Sequence, residues 1–219
     1  MSSVTSSPSS SLVPVDPVVA AFDVDGTLTV RDCVLPFLVR VAGPARFATG
    51  IAARLPRIAK AVVHRDRDAL KEILVSAALA GRSVEETELV GASFAGTVAS
   101  SWMRSDVARR LRWHQDQGHV VVLVSASLSP YLQPLGDVLE VDAVLCTELE
   151  ESDGAYTGAL RGPNCRSAEK VNRLVTWAAA AGITGDDWLQ YAYGDSPGDT
   201  AMLAMATHGT NVSRLEVDA

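Results

Sequence analysis

The 219-residue sequence has only three cysteines and contains no CxxC pair. Cys33, Cys146 and Cys165 are scattered, which argues against a zinc motif built on paired cysteines and against a dense disulfide framework. The N-terminus also lacks the basic start and apolar stretch of a signal peptide. These features favour reduced thiols, and we predict a cytoplasmic location.

Long apolar runs and an excess of positive charge are missing as well. No stretch of about 18 uncharged apolar residues occurs, so we predict no transmembrane helix. The net charge of −7 argues against a general nucleic-acid binder, which needs a basic surface. With 47% hydrophobic and 21% charged residues, the composition is typical of a globular protein.

The charge is unevenly distributed along the chain. Residues 32–104 hold 10 Lys and Arg against 7 Asp and Glu, whereas the rest of the chain holds 9 against 19. A mildly basic segment is therefore inserted in an acidic frame.

Short apolar runs alternate with helical patterns outside this segment. The runs predict strands at 18–22, 119–124, 143–146, 189–193 and 209–212. The helical patterns lie at 106–117, 128–139, 167–181 and 197–206. The alternation predicts an α/β fold with a parallel sheet, and a turn sequence within 148–160 predicts a β-hairpin.

The basic segment itself predicts helices only. They lie at about 33–42, 45–63, 67–80 and 84–100. We therefore divide the chain into a disordered Ser-, Thr- and Pro-rich tail, a core in two pieces, and an all-helical insert. The corresponding ranges are 1–16, then 17–31 with 105–219, and 32–104.

Polar residues follow three of the predicted sheet strands, and one lysine lies near the start of a core helix. They are Asp23, Asp25, Ser125, Asp195, Asp199 and Lys170. Ligands of open α/β sheets bind at the carboxyl ends of the strands, so we expect these side chains to share one crevice.

The chemistry of such a crevice suits phosphate. Clustered carboxylates repel unless a cation neutralises them, and hard oxygen ligands favour Mg²⁺. A carboxylate is also able to act as a nucleophile. Asp25 lies two residues after Asp23, so in an extended chain both side chains point to the same side. One carboxylate then attacks phosphorus while the other handles the proton of the leaving group.

Four segments together resemble the motifs of the haloacid-dehalogenase (HAD) superfamily. Motifs I to IV correspond to 23–29 (DVDGTLT), 120–125 (VVVLVS), Lys170 and 194–199 (GDSPGD). Their order and spacing agree over about residues 18–212. The insert after motif I is similar to a C1 cap, and with the segment VSAS it resembles subfamily IB, the phosphoserine-phosphatase-like hydrolases. The resemblance implies a Rossmann-like core.

The resemblance also implies roles for individual residues. Asp23 would be the nucleophile and a Mg²⁺ ligand, and Asp25 the general acid and base, with its backbone carbonyl on the metal. Asp195 would ligate Mg²⁺, and Asp199 would support the metal or the lysine. The phosphate would be bound by Thr27, Ser125 and Lys170.

Two residues of the insert are candidates for substrate contact. In phosphoserine phosphatases a cap glutamate nine residues after the nucleophile binds the substrate amine, and this sequence has Asp32 there. A cap arginine further on is replaced by Val75, with Lys71 one helical turn earlier. Asp32 is alternatively a helix cap.

The predicted helix at 45–63 has a basic and an apolar arc. The basic arc holds Arg46, Arg54, Arg57, Lys60 and His64. The apolar arc holds Phe47, Ile51, Leu55, Ile58 and Val62. This pattern is typical of a cap helix with one packed and one solvated face, and a membrane-surface helix is the alternative.

The sequence thus predicts a Mg²⁺-dependent phosphatase that hydrolyses a small phosphomonoester through an aspartyl phosphate. The alternatives are a lysophospholipid or glycerol-phosphate phosphatase at a membrane surface, a phosphotransferase or mutase, and a non-catalytic phosphate-binding module. The oligomeric state stays open.

Overall fold

The computed structural model describes residues 17–213 except 184 and 186, and it has a parallel sheet between two layers of helices. The predicted tail at 1–16 and the last six residues of the predicted core lie outside this range. The strands are β1 (Val19–Phe22), β2 (Arg82–Ser83), β3 (Val120–Leu128), β4 (Ala143–Thr147), β5 (Leu149–Ser152), β6 (Ala155–Leu160), β7 (Leu189–Gly194) and β8 (His208–Asn211). The helices are α1 (Val34–Ala42), α2 (Pro44–Ala52), α3 (Leu55–Val63), α4 (Arg67–Leu79), α5 (Val84–Ser101), α6 (Ser105–Asp116), α7 (Ser129–Val138), α8 (Ala168–Ala180) and α9 (Thr200–Met205).

The main sheet has the order β4-β3-β1-β7-β8, and all its pairings are parallel. β1 lies at the centre, and its side chains alternate between two buried clusters. Ala20 and Phe22 pack with residues of α6 and α7, whereas Val19 and Ala21 pack with residues of α8 and α9. Because both faces are covered, the strand is apolar throughout, as parallel sheets require. The predicted α/β fold is confirmed.

Two core elements differ from their predicted bounds. β3 continues beyond Val124 to Leu128, and its pairing with β4 shifts register in that interval. The helix predicted at 197–206 is a 3₁₀ turn at Pro197–Asp199 followed by α9. Side-chain hydrogen bonds accompany both differences: Ser125 Oγ accepts from the backbone N–H of Ser127 within β3, and Ser196 and Asp199 form a capping box at the 3₁₀ turn.

The insert corrects two further predictions. The helix predicted at 45–63 is two helices, α2 and α3, because Pro56 has no amide hydrogen and its ring blocks continuation of the preceding turn. The insert is also not purely helical, since β2 pairs antiparallel with β6 and extends the β5-β6 hairpin. The hairpin itself is confirmed, and Asp153 and Gly154 both have positive φ in its turn.

Helix α1 packs into the core through Phe37 and Leu38, whereas no described residue of α2 is buried. Among the described helices, none taken singly has the length and apolar character needed to cross a membrane. α1 and α2 meet those criteria only as a pair, and the pair is bent by 106°.

The insert joins the core where α5 crosses α7. A Cβ atom at Gly91 of α5 would overlap the backbone carbonyl oxygen of Pro130 in α7. The two helix backbones are therefore in direct contact, and this contact supports the start of the helix that follows β3.

Replacing Gly91→Ala should destabilise the protein by about 1–3 kcal/mol, because the added methyl group has to push two helix backbones apart. Gly96→Ala in the same helix is the matched control, since its Cβ would meet nothing within 4 Å. We expect the control to stabilise by up to about 1 kcal/mol through helix propensity. Thermal and urea unfolding measure both effects, and equal stability of the two variants would contradict the contact.

Candidate active site

The turn after β1 brings motif I against motif IV. Asp23 donates its backbone N–H to the Tyr193 carbonyl oxygen at 2.9 Å, which ties the turn to β7. Gly26 has φ of 81°, and a Cβ atom there would lie 2.5 Å from Asp195 Oδ2. Thr27 Oγ1 lies 3.1 Å from Asp23 Oδ2 and 3.2 Å from Asp195 Oδ1, and its single hydrogen serves one of them at a time.

A buried lysine connects three of the predicted motifs. Lys170 Nζ, in the first turn of α8, lies 2.6 Å from Asp23 Oδ1 and 2.5 Å from Asp199 Oδ1. The other oxygen of Asp199 accepts from the backbone N–H of Ser196 at 3.0 Å and from its hydroxyl at 2.7 Å. The structure thus assembles the residues that the sequence placed in one crevice.

The crevice carries more negative than positive charge. Burial raises the pKa of Asp23 to about 7, and it also raises the pKa of Asp195. Burial works against the charge of Lys170 too, but the carboxylates of Asp23 and Asp199 outweigh it and raise the pKa of the lysine. One ammonium group therefore faces three carboxylates, and a further cation would relieve their repulsion.

The carboxylates fit a magnesium ion by chemistry and spacing. Oxygens of Asp23, Asp195 and Asp199 all lie within 4.8 Å of one another. Asp199 is already engaged by Lys170 and Ser196, so Asp23 and Asp195 are the side chains that we expect to hold the metal. Oxygen ligands of this kind suit Mg²⁺. The contribution of the Asp25 carbonyl stays a prediction.

The side chain of Asp25 is held separately from this cluster. Its Oδ1 accepts from the backbone N–H of Cys33 at 2.8 Å, and its Oδ2 accepts from Ser127 Oγ at 2.5 Å. Tyr131 in turn donates its hydroxyl to Ser127 Oγ at 2.7 Å. Burial raises the pKa of Asp25, which favours a carboxylic acid that is able to donate a proton.

Ser125 is buried at the end of the regular part of β3. Its hydroxyl oxygen accepts a hydrogen bond from the backbone N–H of Ser127 at 3.1 Å, which forms a local turn at the entrance to the site. Ser125 also lines the cavity between core and insert, as expected for a phosphate ligand.

That cavity has a volume of about 380 Å³, near the lower end for ligand pockets. Its floor is formed by the motif residues. The side facing the insert is lined by Val34, Leu35, Arg67, Leu70, Lys71 and Leu74, and one rim holds Asn164 and Arg166.

Asp32 lines the cavity and also caps a helix. Its Oδ1 accepts from the backbone N–H of Leu35 at 3.1 Å in the first turn of α1, and the residue is exposed. The structure therefore shows the capping role, whereas contact with substrate stays a prediction.

Lys71 is buried and spans from the insert to the core. Its Nζ donates to the backbone carbonyl of Ala126, to Thr147 Oγ1 at 3.1 Å and to Asn164 Oδ1 at 2.7 Å. Ala126 lies between the two serines of the site, so Lys71 holds the backbone that positions them. Its role in binding substrate stays a prediction.

Several residues near the site were not identified from the sequence. Tyr131 and Asn164 lie in segments without a recognisable motif. Arg67 had a usable signal, because it precedes Lys71 by four residues and so shares a face of α4 with it. No sequence signal identified Arg166, because its approach to Gly198 depends on the loop before α8.

The fold and the site together define a class: a Rossmann-like α/β core with an aspartate-rich site at the ends of its strands and an insert after the first strand. The chain belongs to the haloacid dehalogenase-like hydrolase family, whose model matches residues 20–204. The predicted superfamily is confirmed.

Individual proteins are similar to this chain over most of its length. Protein CicA of Caulobacter vibrioides is 38% identical over 193 residues, which cover 87% of this chain and 84% of that protein. A protein of unknown function from Bordetella pertussis Tohama I has a similar structure, with a TM-score of 0.71, 24% identity and 86% coverage of both chains. A substrate-bound phosphoserine phosphatase has a TM-score of 0.58 and 20% identity over 87% of this chain and 83% of that one, which indicates a shared fold.

The lowered pKa of Lys71 should make the free energy of unfolding depend on pH in the alkaline range. Burial lowers its pKa from 10.5 to about 8, so between these values the unfolded chain holds a proton that the folded protein has released. The unfolding free energy of the wild type should therefore rise relative to Lys71→Met, by up to about 3 kcal/mol from pH 8 to 10.5. Urea unfolding at several pH values measures this, with Lys60→Met at an exposed position as the control. A constant difference across this range would contradict the assignment.

Proposed function

We propose that the protein is a Mg²⁺-dependent phosphatase that hydrolyses a small phosphomonoester through a phosphoaspartate at Asp23. The observation that carries the proposal is the arrangement of two aspartates with different partners. Asp23 is bound to Lys170 in the carboxylate cluster, whereas Asp25 is held apart by Cys33 and Ser127. A nucleophile and a proton donor require this division of environments.

In the first step a carboxylate oxygen of Asp23 attacks phosphorus and the bond from phosphorus to the leaving oxygen breaks. Asp25 gives its proton to that oxygen, so the organic product departs as an alcohol. Lys170 and the hydroxyl of Ser125 bind the phosphoryl oxygens on which charge accumulates. When bound, Mg²⁺ supplies positive charge that screens the carboxylates from the incoming phosphate.

In the second step water hydrolyses the phosphoaspartate. Asp25, now a carboxylate, takes a proton from the water, and the resulting hydroxide attacks phosphorus. The bond between phosphorus and Asp23 breaks, which returns both aspartates to their starting states and releases inorganic phosphate.

The cavity supports a small substrate. Its volume of about 380 Å³ suits a metabolite with few atoms beyond the phosphate group. Similarity of fold to phosphoserine phosphatases supports the same reaction class. The three cysteines are buried and unpaired, which supports the cytoplasmic location that we propose for the enzyme.

Asp23→Asn should reduce phosphate release from an aryl phosphate by several orders of magnitude, because an amide is a poor nucleophile. Asp137→Asn, at an exposed position of α7, is the matched control and should keep wild-type activity. Release of inorganic phosphate with Mg²⁺, and again with EDTA, is the measurement.

Near-normal turnover of Asp23→Asn would overturn the mechanism. A folded wild-type protein that releases no phosphate from any of a broad set of phosphomonoesters would favour a binding module instead. Isomer formation without phosphate release would favour a mutase.

Asp25→Asn should affect substrates according to their leaving group. An alkoxide needs a proton to depart, so hydrolysis of an alkyl phosphate should fall by about 10²- to 10⁴-fold. An aryl phosphate with an acidic phenol needs no proton in the first step, so formation of the phosphoenzyme should fall much less. Rapid-quench measurement of the first turnover with both substrates tests this. Equal losses would show that Asp25 does not protonate the leaving group.

A further inference from the structure

The outer part of the insert has a composition unlike the rest of the chain. Residues 33–65 contain no Asp or Glu, but six Lys and Arg and one His, in a protein of net charge −7. This interval includes α2 and α3, which are the least buried helices of the insert. No described residue of α2 is buried, and Ala61 is the one described residue of α3 that is.

Helix α3 exposes apolar side chains to solvent. Leu55 is 57% exposed, Val62 57% and Val63 78%. With Ala59, which is also exposed, they occupy one arc of the helix at a spacing of three, four and seven residues. We call these four residues the apolar stripe. Ala61, which is buried, and Ile58, which is half-buried, lie beside this stripe on the arc of the helix that faces the rest of the protein.

A second arc of α3 is cationic. Arg57 and Lys60 lie three residues apart on it, His64 follows just beyond the end of the helix, and all three are exposed. We call Arg57 and Lys60 the cationic stripe. Neither Arg57 nor Lys60 takes part in an ion pair with another residue that the structure describes.

Two carboxylates of the described chain lie beside the cationic stripe without forming an ion pair with it. Asp66 and Glu72 line the groove between α3 and α4, and the cationic stripe lines the same groove. Asp66 is engaged in capping α4, where its Oδ1 accepts from the backbone N–H of Ala69 at 2.9 Å. Arg54 behaves differently from the stripe, because it donates inward to the Gly50 carbonyl and to Ser76 Oγ.

We propose that the apolar and cationic stripes of α3 together dock the protein on an anionic lipid bilayer. At a membrane surface the apolar side chains enter the interface and the cations meet lipid headgroups, so one partner satisfies both stripes. A nucleic acid would neutralise the cations but leave Leu55, Val62 and Val63 in water. The proposal is independent of the catalytic mechanism, since no residue of α3 lines the active-site cavity.

The test is sedimentation of the full-length protein with two kinds of vesicle, one of phosphatidylcholine alone and one with an equal share of phosphatidylglycerol. We expect binding to the anionic vesicles at about 50 mM salt and its loss at about 1 M, where charge attraction is screened. Arg57→Gln with Lys60→Gln should weaken the partition coefficient roughly 30-fold. Val62→Ser with Val63→Ser should weaken it by about tenfold or more.

Matched controls keep the result specific. Leu89→Ser on α5 and Val175→Ser on α8 remove exposed apolar side chains, 67% and 48% exposed, from other surfaces. They should bind like the wild type. All variants should hydrolyse a soluble aryl phosphate at the wild-type rate, which separates loss of docking from loss of folding or of catalysis.

Three results would overturn the proposal. The first is no binding of the wild type to anionic vesicles at low salt, and the second is an equal loss in the control and α3 variants. The third is self-association of the wild type in light scattering that the α3 variants abolish, with no vesicle binding. That third result would mean that a second copy of the chain covers the stripes.

Discussion

The site depends on one buried ammonium group held between two carboxylates. Lys170 lies in the first turn of α8, Asp23 at the end of β1 and Asp199 in the turn after β7, so their contacts fix three elements relative to one another. Removing the Lys170 ammonium group would leave the carboxylates of Asp23 and Asp199 buried without a counter-charge, which is strongly destabilising. The same contacts orient Asp23 and leave the crevice with excess negative charge. Stability and chemistry therefore rest on the same atoms.

Prediction from the sequence succeeded where residues of the site follow strands. Asp23 and Asp195 were predicted from their position, since a parallel sheet gathers the carboxyl ends of its strands at one edge. It failed where tertiary contacts decide the outcome. The break between α2 and α3 has a local cause instead, because the hydrophobic period of 45–63 continues through Pro56 although this proline lacks an amide hydrogen and its ring blocks the preceding turn. The contact of β2 with the hairpin joins residues more than 70 positions apart, and two residues are too short a strand to leave a pattern.

The insert and the core are connected through the site itself. Asp25 accepts from Cys33 at the start of the insert and from Ser127 in the core, and Lys71 reaches the backbone between the two site serines. Residues that line the cavity thus also hold the two parts together. This explains why the role of Lys71 was hard to predict: a lysine on an amphipathic helix is usually solvated, and its burial depends on acceptors such as Thr147 and Asn164 from a distant part of the chain.

Gly26 shows how this arrangement limits the changes that the chain tolerates. Its φ of 81° already disfavours other residues, and any side chain would collide with the carboxylate of Asp195. A larger residue at 26 would be compatible only with a shorter one at 195, and that shortening would remove an oxygen from the carboxylate cluster. Two positions 169 residues apart therefore constrain each other. For anyone redesigning this protein, the turn after β1 and the turn after β7 form one module that has to be exchanged whole.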